Sequence, residues 1–380
     1  MQGPLRVGLN LIFLGERAGG AGRYARELPG ALLAVEPATE IEIFVSLDAP
    51  ADLRDVPWTD SVRWTTVPVR LGGLPTHMPA EYLALPTLAG AHRLDVLHSP
   101  ANTGPTRVPG LASVVSVLDL IWLHRPEEWE ASPRVHRTMR RRVGRAVRGA
   151  DRIFAISHAA GADLTATLGL APERIEVTPL GARPPRVAPI AEETLRAQFD
   201  LAGARIVLCL AQKRPYKNLG SLIDALPALE SDVVLVLPGS PTPYETELRD
   251  RARALGVADR VRFPEWLSEE QVEAMYACAE VFVLPSLIEG FGLPVLEAML
   301  RGVPVACSNI PVLSEVGGDA VLTFDPERPE DLAAAVRRLL EDRGLTERLI
   351  ERGHARAAAF TWEHTARATL AGYRRALACR

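Results

Sequence analysis

Two glutamates stand eight residues apart in Glu289-Gly-Phe-Gly-Leu-Pro-Val-Leu-Glu297. The segment follows an apolar run, Val281–Leu284, that reads as a strand. Gly290–Leu293 would then offer backbone N–H groups at a helix start, where anions bind well. One acid can accept hydrogen bonds from a sugar and the other from a ribose, with phosphates over the N–H groups between them. The plain alternative is one capping carboxylate and one solvated carboxylate. Glu297 falls in a strongly apolar helical stretch, which argues against simple solvation.

A second feature is cationic. Lys and Arg total 43, yet only Lys213 and Lys217 are lysines. Both lie in Gln212-Lys-Arg-Pro-Tyr-Lys-Asn218, directly after a strand-like run, Arg205–Leu210. Three cations at a strand end suit a diphosphate; a solvated charged loop is the bland alternative. A third feature is Arg17-Ala-Gly-Gly-Ala-Gly-Arg-Tyr24, a glycine-rich turn into a helix. It lacks the GxGxxG spacing, and no Walker GxxxxGK[ST] occurs in the chain. A tight turn and a phosphate loop are both open for it.

The elements that must position these residues alternate. Leu5–Ile12, Ile41–Leu47, Val96–His98, Ser113–Leu118 and Arg152–Ile156 read as strands, with helices such as Gly22–Val35 and Arg134–Arg148 between. Near Pro179 a proline-rich stretch to Ile190 reads as a linker. A second series follows. Its strands are Arg205–Leu210, Val233–Leu237, Arg260–Phe263, Val281–Leu284, Val303–Cys307 and Ala320–Thr323. Its helices are Leu219–Leu229, Tyr244–Leu255, Glu269–Ala277, Gly292–Leu300 and Pro329–Asp342, and an amphipathic stretch, Thr361–Leu377, ends the chain. Such alternation predicts two α/β domains with parallel sheets, which bind ligands beyond the carboxyl ends of their strands.

A length of 380 residues suits two or three domains. At 47% hydrophobic and 24% charged, the composition excludes global disorder. A net charge of −4 gives no general attraction to nucleic acid. Of the four cysteines, none has CxxC spacing and three lie in apolar segments, so a reducing cytoplasm is expected. The N-terminus shows no signal-peptide pattern, and no apolar stretch approaches the roughly 18 residues of a membrane span. No His/Cys/Asp cluster has metal-site spacing, and no Asp-x-Asp occurs. Arg134–Arg148 holds seven arginines around Val135, Met139, Val143 and Val147. It is either a solvated helix or a peripheral contact with anionic lipid. Leu71–Pro86 reads as an acceptor-side loop or a plain connection.

The Glu289–Glu297 segment resembles the E-x7-E motif of the retaining family 4 glycosyltransferases, which have the GT-B fold of two facing Rossmann-like domains with an interdomain cleft. Further resemblances occur in order along nearly the whole chain. They are Ala18–Tyr24, Asp95–Pro100, Ile156–His158 with Asp163-Leu164, Ile175–Gly181, Pro215–Asn218, Ser314–Asp319 and Phe360–Tyr373. The resemblance implies an N-terminal acceptor domain over 1–183 that takes back the helix 362–380, and a donor domain over 184–361. It implies that Gly20 and Gly22 approach the donor diphosphate or the acceptor, and that His98 sits at the reaction centre. Lys217, helped by Arg214 or Lys213 with Arg214 favoured, would neutralise the leaving phosphate. Glu289 would bind sugar hydroxyls, the N–H groups of Phe291, Gly292 and Leu293 the sugar or phosphate, and Glu297 the ribose. The base would lie near Arg262–Leu267, beside Phe263. Leu118-Asp119-Leu120 stands where many relatives have His-Asp-Leu, so a second sugar-side histidine is missing.

The implied activity is retaining hexosyl transfer from a nucleotide sugar to a glycan, glycolipid or small-molecule hydroxyl. No metal and no cofactor beyond the nucleotide sugar are implied. GDP-mannose is the guessed donor, ahead of a UDP- or dTDP-sugar, and the cytoplasm, or the inner face of its membrane, is the expected location. A sugar-nucleotide epimerase, a pyridoxal-phosphate phosphorylase and a catalytically silent sugar-nucleotide-binding protein are the alternatives of the same fold.

Overall fold

The computed structural model describes residues 3–15, 19–70, 79–105, 108–128 and 133–380. The chain divides into two units, one formed by 1–181 with 361–380 and the other by 182–360. Each is an α/β sheet of parallel strands.

The first unit carries seven strands. They are β1 Arg6–Leu11, β2 Glu40–Val45, β3 Arg63–Thr66, β4 Val96–Ser99, β5 Ala112–Val117, β6 Arg152–Ala155 and β7 Ile175–Val177. Their spatial order is β3-β2-β1-β4-β5-β6-β7. The inner strands are buried on both faces, which is why they read as continuous apolar runs rather than alternating ones. Two short edge elements, β3 and β7, escape sequence reading. They are half-exposed and only four and three residues long, so they show no such run.

The second unit carries six strands. They are β8 Arg205–Leu208, β9 Val233–Val236, β10 Val261–Arg262, β11 Ala279–Leu284, β12 Val305–Ser308 and β13 Leu322–Phe324. Their order, β10-β9-β8-β11-β12-β13, is the 3-2-1-4-5-6 winding of a dinucleotide-binding sheet. The winding reverses between β8 and β11, and the gap beyond their carboxyl ends is where such sheets take ligands. Both chemistry-bearing segments of this unit, 209–218 and 285–292, start from those two strand ends.

Local chemistry sets the helix ends. Ser157 caps His158–Leu168 by accepting from the Ala160 N–H, and Gly169 closes it in the left-handed conformation. Ser268 and Gln271 form a reciprocal capping box at Glu269–Cys278. The last helix, Trp362–Ala378, is capped by Thr361 and packs against Gly19–Val35 in the first unit. The helix also lies close against β6 because residue 372 is glycine; a Cβ there would lie 2.5 Å from the Phe154 ring.

Candidate functional site

The loop after β8 sorts its three cations into three environments. Lys213 is fully buried. Its ammonium donates to the Gly239 carbonyl and to Glu245 Oε2, at 2.7 Å each. It is an internal group and offers no charge to a ligand. Arg214 is half-buried and makes no side-chain hydrogen bond or ion pair among the described residues. The sequence left Lys213 and Arg214 open as companions of Lys217; only Arg214 has its charge unengaged.

Lys217 closes the one-turn helix Pro215–Lys217, and Asn218 then takes a left-handed conformation at φ 55°. The Asn218 amide anchors that turn by donating to the Pro326 carbonyl at 2.8 Å. Lys217 Nζ lies 2.5 Å from Glu289 Oε1, and its charge stands 5.2 Å from the Tyr216 ring centroid. The Ser286 hydroxyl donates to the same carboxylate oxygen at 2.8 Å. The Leu287 N–H donates to the Tyr216 carbonyl, stitching the two loops together at the backbone. Burial works to lower the Lys217 pKa, but the adjoining Glu289 carboxylate more than offsets it, and the net shift is upward. Lys217 therefore stays charged. Cys209 lies close enough to feel both charges, yet burial pushes its thiol up to about 12, so it supplies no thiolate.

After Glu289 the chain turns sharply into the helix Leu293–Leu300. Gly292 caps it at φ 105°, a conformation that favours glycine, and a Cβ there would also come 2.6 Å from Leu313 Cδ2. The N–H groups of Phe291, Gly292 and Leu293 have no backbone partner among the described residues. The Phe291 and Leu293 side chains are buried, Phe291 edge-on to Phe360. What these residues offer a ligand is backbone, not side chain. Glu297 lies within the helix, mostly buried, with the Tyr276 hydroxyl 3.5 Å from its Oε2. Tyr276 in turn carries the Arg301 guanidinium 4.8 Å from its ring centroid, and Arg301 is forked onto Glu273. Phe263 is half-buried, with Arg249 stacked 4.5 Å from its centroid.

In the first unit the expectations change. Gly20 and Gly22 lie within the helix Gly19–Val35 itself; Gly20 is exposed, with open space where a Cβ would point, and Gly22 is buried. Arg17 and Ala18 fall outside the described residues, as do 71–78 of the Leu71–Pro86 loop. His98 is corrected. It is fully buried on β4, with Nδ1 2.7 Å from the Tyr373 hydroxyl and Nε2 2.7 Å from the Ser116 hydroxyl. Both nitrogens are occupied inside the unit, and the ring packs against Phe154 and Tyr373. It is a core histidine that ties β4, β5 and the last helix together. The Ser116 hydroxyl also meets the Tyr24 hydroxyl at 3.1 Å, extending the network to the glycine-bearing helix. Ser286, Tyr216 and Tyr276 escaped sequence reading. Ser286 had a usable signal, a hydroxyl two residues past a strand end; Tyr276 had none, because its apolar helical context reads as core.

The comparisons with known proteins agree with this layout. The sequence family described as Glycosyltransferase Family 4 matches residues 18–185, and that described as Glycosyl transferases group 1 matches residues 191–356. The two matches fall one in each unit, so the chain carries a Glycosyltransferase Family 4 domain followed by a Glycosyl transferases group 1 domain. It is 34% identical over 184 residues to "O-antigen chain mannosyltransferase B" of Escherichia coli, covering 47% of this chain and 48% of that protein. It is 30% identical over 266 residues to "MMP alpha-(1->4)-mannosyltransferase" of Mycolicibacterium hassiacum, covering 66% and 61%. The matches thus span about half to three-fifths of those relatives. Among solved structures, sucrose-phosphate synthase from Thermosynechococcus elongatus aligns with a TM-score of 0.78 at 22% identity, over 99% of this chain and 100% of that one. The Anabaena Alr3699/HepE complex with UDP-glucose aligns with a TM-score of 0.74 at 20% identity, over 97% and 99%. These structural likenesses show the GT-B type of fold.

Burial holds the His98 ring neutral, lowering its pKa from 6.5 to about 3. Between those values the unfolded chain binds a proton that the folded chain does not. The stability His98 allows is therefore fully present above about pH 6.5 and falls as the pH drops toward 3. The variant His98→Gln should show a flatter dependence of unfolding midpoint on pH between 6.5 and 4 than the unaltered protein. Equal slopes in the two proteins would sink this account.

Proposed function

We propose that the chain is a retaining, metal-independent hexosyltransferase that moves a sugar from a nucleoside diphosphate to an acceptor hydroxyl. The observation that carries this reading is the Lys217–Glu289 contact at the winding reversal, with the unengaged Arg214 guanidinium in the same loop. Breaking the bond from the anomeric carbon to the phosphate oxygen leaves positive charge on the sugar ring and negative charge on the departing diphosphate. Lys217, Arg214 and the N–H groups of Phe291–Leu293 are the fixed donors for that negative charge. Because they are positioned beforehand, they need little reorganisation as the charge develops. Glu289 holds sugar hydroxyls and keeps Lys217 oriented, and Glu297 accepts from the ribose. The leaving phosphate takes the acceptor's proton on the same face, which needs no protein nucleophile. Metal independence rests on the lack of an Asp-x-Asp in the sequence.

The donor of choice is GDP-mannose, on the strength of the relatives named as mannosyltransferases. A UDP-sugar is the second reading, since the Anabaena neighbour is a complex with UDP-glucose. Phe263 and the residues around it would flank the base. The acceptor is a glycan, glycolipid or small molecule. Gly20 and Gly22 would approach the donor or acceptor through backbone. A cytoplasmic setting is supported by four free cysteines, three of them buried.

We further propose contact with the inner face of the membrane through helix Pro133–Gly149. Arg142 is not part of that contact, because it is buried in an ion pair with Glu81 at 2.5 Å. The other six arginines, at 134, 137, 140, 141, 145 and 148, are exposed, and so are Val135 and, in the neighbouring segment, Leu83. Exchange of Arg137, Arg140 and Arg141 for Gln should abolish co-sedimentation with anionic vesicles and leave neutral vesicles unaffected. Equal sedimentation before and after exchange would remove the membrane contact.

Lys217→Ala should lower kcat about 10²–10³-fold, the usual loss for one such donor. Glu289 keeps its Ser286 hydrogen bond, so the fold should persist; near-normal turnover in the folded variant would refute the phosphate role. Glu297→Ala should weaken nucleoside diphosphate binding by calorimetry, and an unchanged affinity would count against the ribose assignment.

A further inference from the structure

Lys213 is the one cation of the basic loop that the proposed reaction leaves without a task. Burying an ammonium carries a large desolvation cost unless it is well paired, so an apolar residue would fill the space with less penalty. What the ammonium adds is direction. It donates to the Gly239 carbonyl, which follows β9, and to Glu245 of helix Pro243–Ala254. Its nitrogen lies 5.6 Å from the centroid of Phe263, which follows β10. The Lys213 carbonyl accepts from the Thr242 hydroxyl at 2.6 Å, so side chain and backbone grip the same partner loop.

The partners are themselves braced. Arg249 holds the other Glu245 oxygen at 2.7 Å and stacks on Phe263. Burial pushes the Glu245 carboxyl up, but the hydrogen bonds from Lys213 and Arg249 leave it below its ordinary value. Gly239 sits at φ 142°, and its N–H donates to the Pro264 carbonyl at 3.0 Å. A Cβ there would come 3.2 Å from the Ala211 carbonyl oxygen. Three consecutive strand-end segments, after β8, β9 and β10, therefore meet at one buried ammonium.

We propose that Lys213 is a positioning residue for diphosphate recognition. Its bonds fix the backbone of 211–218 so that Arg214 and Lys217, its neighbours in that loop, present their charges together. This rests on the phosphate role argued above for the same loop.

Calorimetry with GDP, UDP and the matching monophosphates on the whole chain tests it. Lys213→Met keeps the side-chain length, and Glu245 stays paired with Arg249, so the variant should fold. It should bind the preferred diphosphate about tenfold more weakly while the monophosphate loses less than about threefold. A folded Lys213→Met that binds the diphosphate normally, or loses both ligands equally, overturns the proposal. Should that variant fail to fold, Glu245→Gln carries the test. Its amide oxygen still accepts from Lys213, and a smaller, diphosphate-selective loss is expected; no selectivity overturns the proposal. If the unaltered protein binds neither GDP nor UDP, the phosphate reading fails instead.

Discussion

The contact of Lys217 with Glu289 joins the two loops that spring from β8 and β11, the strands on either side of the winding reversal. An ion pair this little exposed gains strength from its low-dielectric surroundings and costs desolvation for the same reason. The Ser286 hydroxyl and the Leu287–Tyr216 backbone bond share that cost, because they hold both partners in place. Much of the second unit serves this contact. Asn218 fixes one end of the basic turn, Gly292 permits the turn into the following helix, and Lys213 locks the loop from behind.

The first unit is organised around a different device. Its core holds polar groups that satisfy one another: Asn10 donates to Ser99, and His98 links Ser116 to Tyr373. A fully bonded buried network specifies one arrangement, because any slip strands a polar group without water. The network fastens the last helix, more than two hundred residues away in sequence, onto β4 and β5. It reaches the glycine-bearing helix through Tyr24, which also stacks on Trp362.

The same physics separates what could be read from what could not. Buried parallel strands announce themselves as apolar runs, and most of the strands expected over Leu5–Ile12 to Ala320–Thr323 appear within a residue or two of those limits. The edge strands β3 and β7 and the helices His158–Leu168 and Arg343–Ala358 lacked a strong period and went unnoticed. Among site residues, Lys217 and Glu289 were singled out by type and position, and they do meet. The resemblance of Asp95–Pro100 puts His98 at the reaction centre, whereas the fold uses it as core. Lys213 and Lys217 look alike in the sequence, four residues apart, yet one is sealed inside and the other stands at the contact.

The sequence by itself determined the α/β class, the position of most strands along the chain and the segments able to carry charge to a phosphate. Those properties depend on local composition and on short-range periodicity. Which cation is engaged and which is free, and whether a histidine faces substrate or core, depends on partners distant in the chain. Glu245, Glu289 and Tyr373 decide those questions for Lys213, Lys217 and His98, and only the folded sheet brings them together.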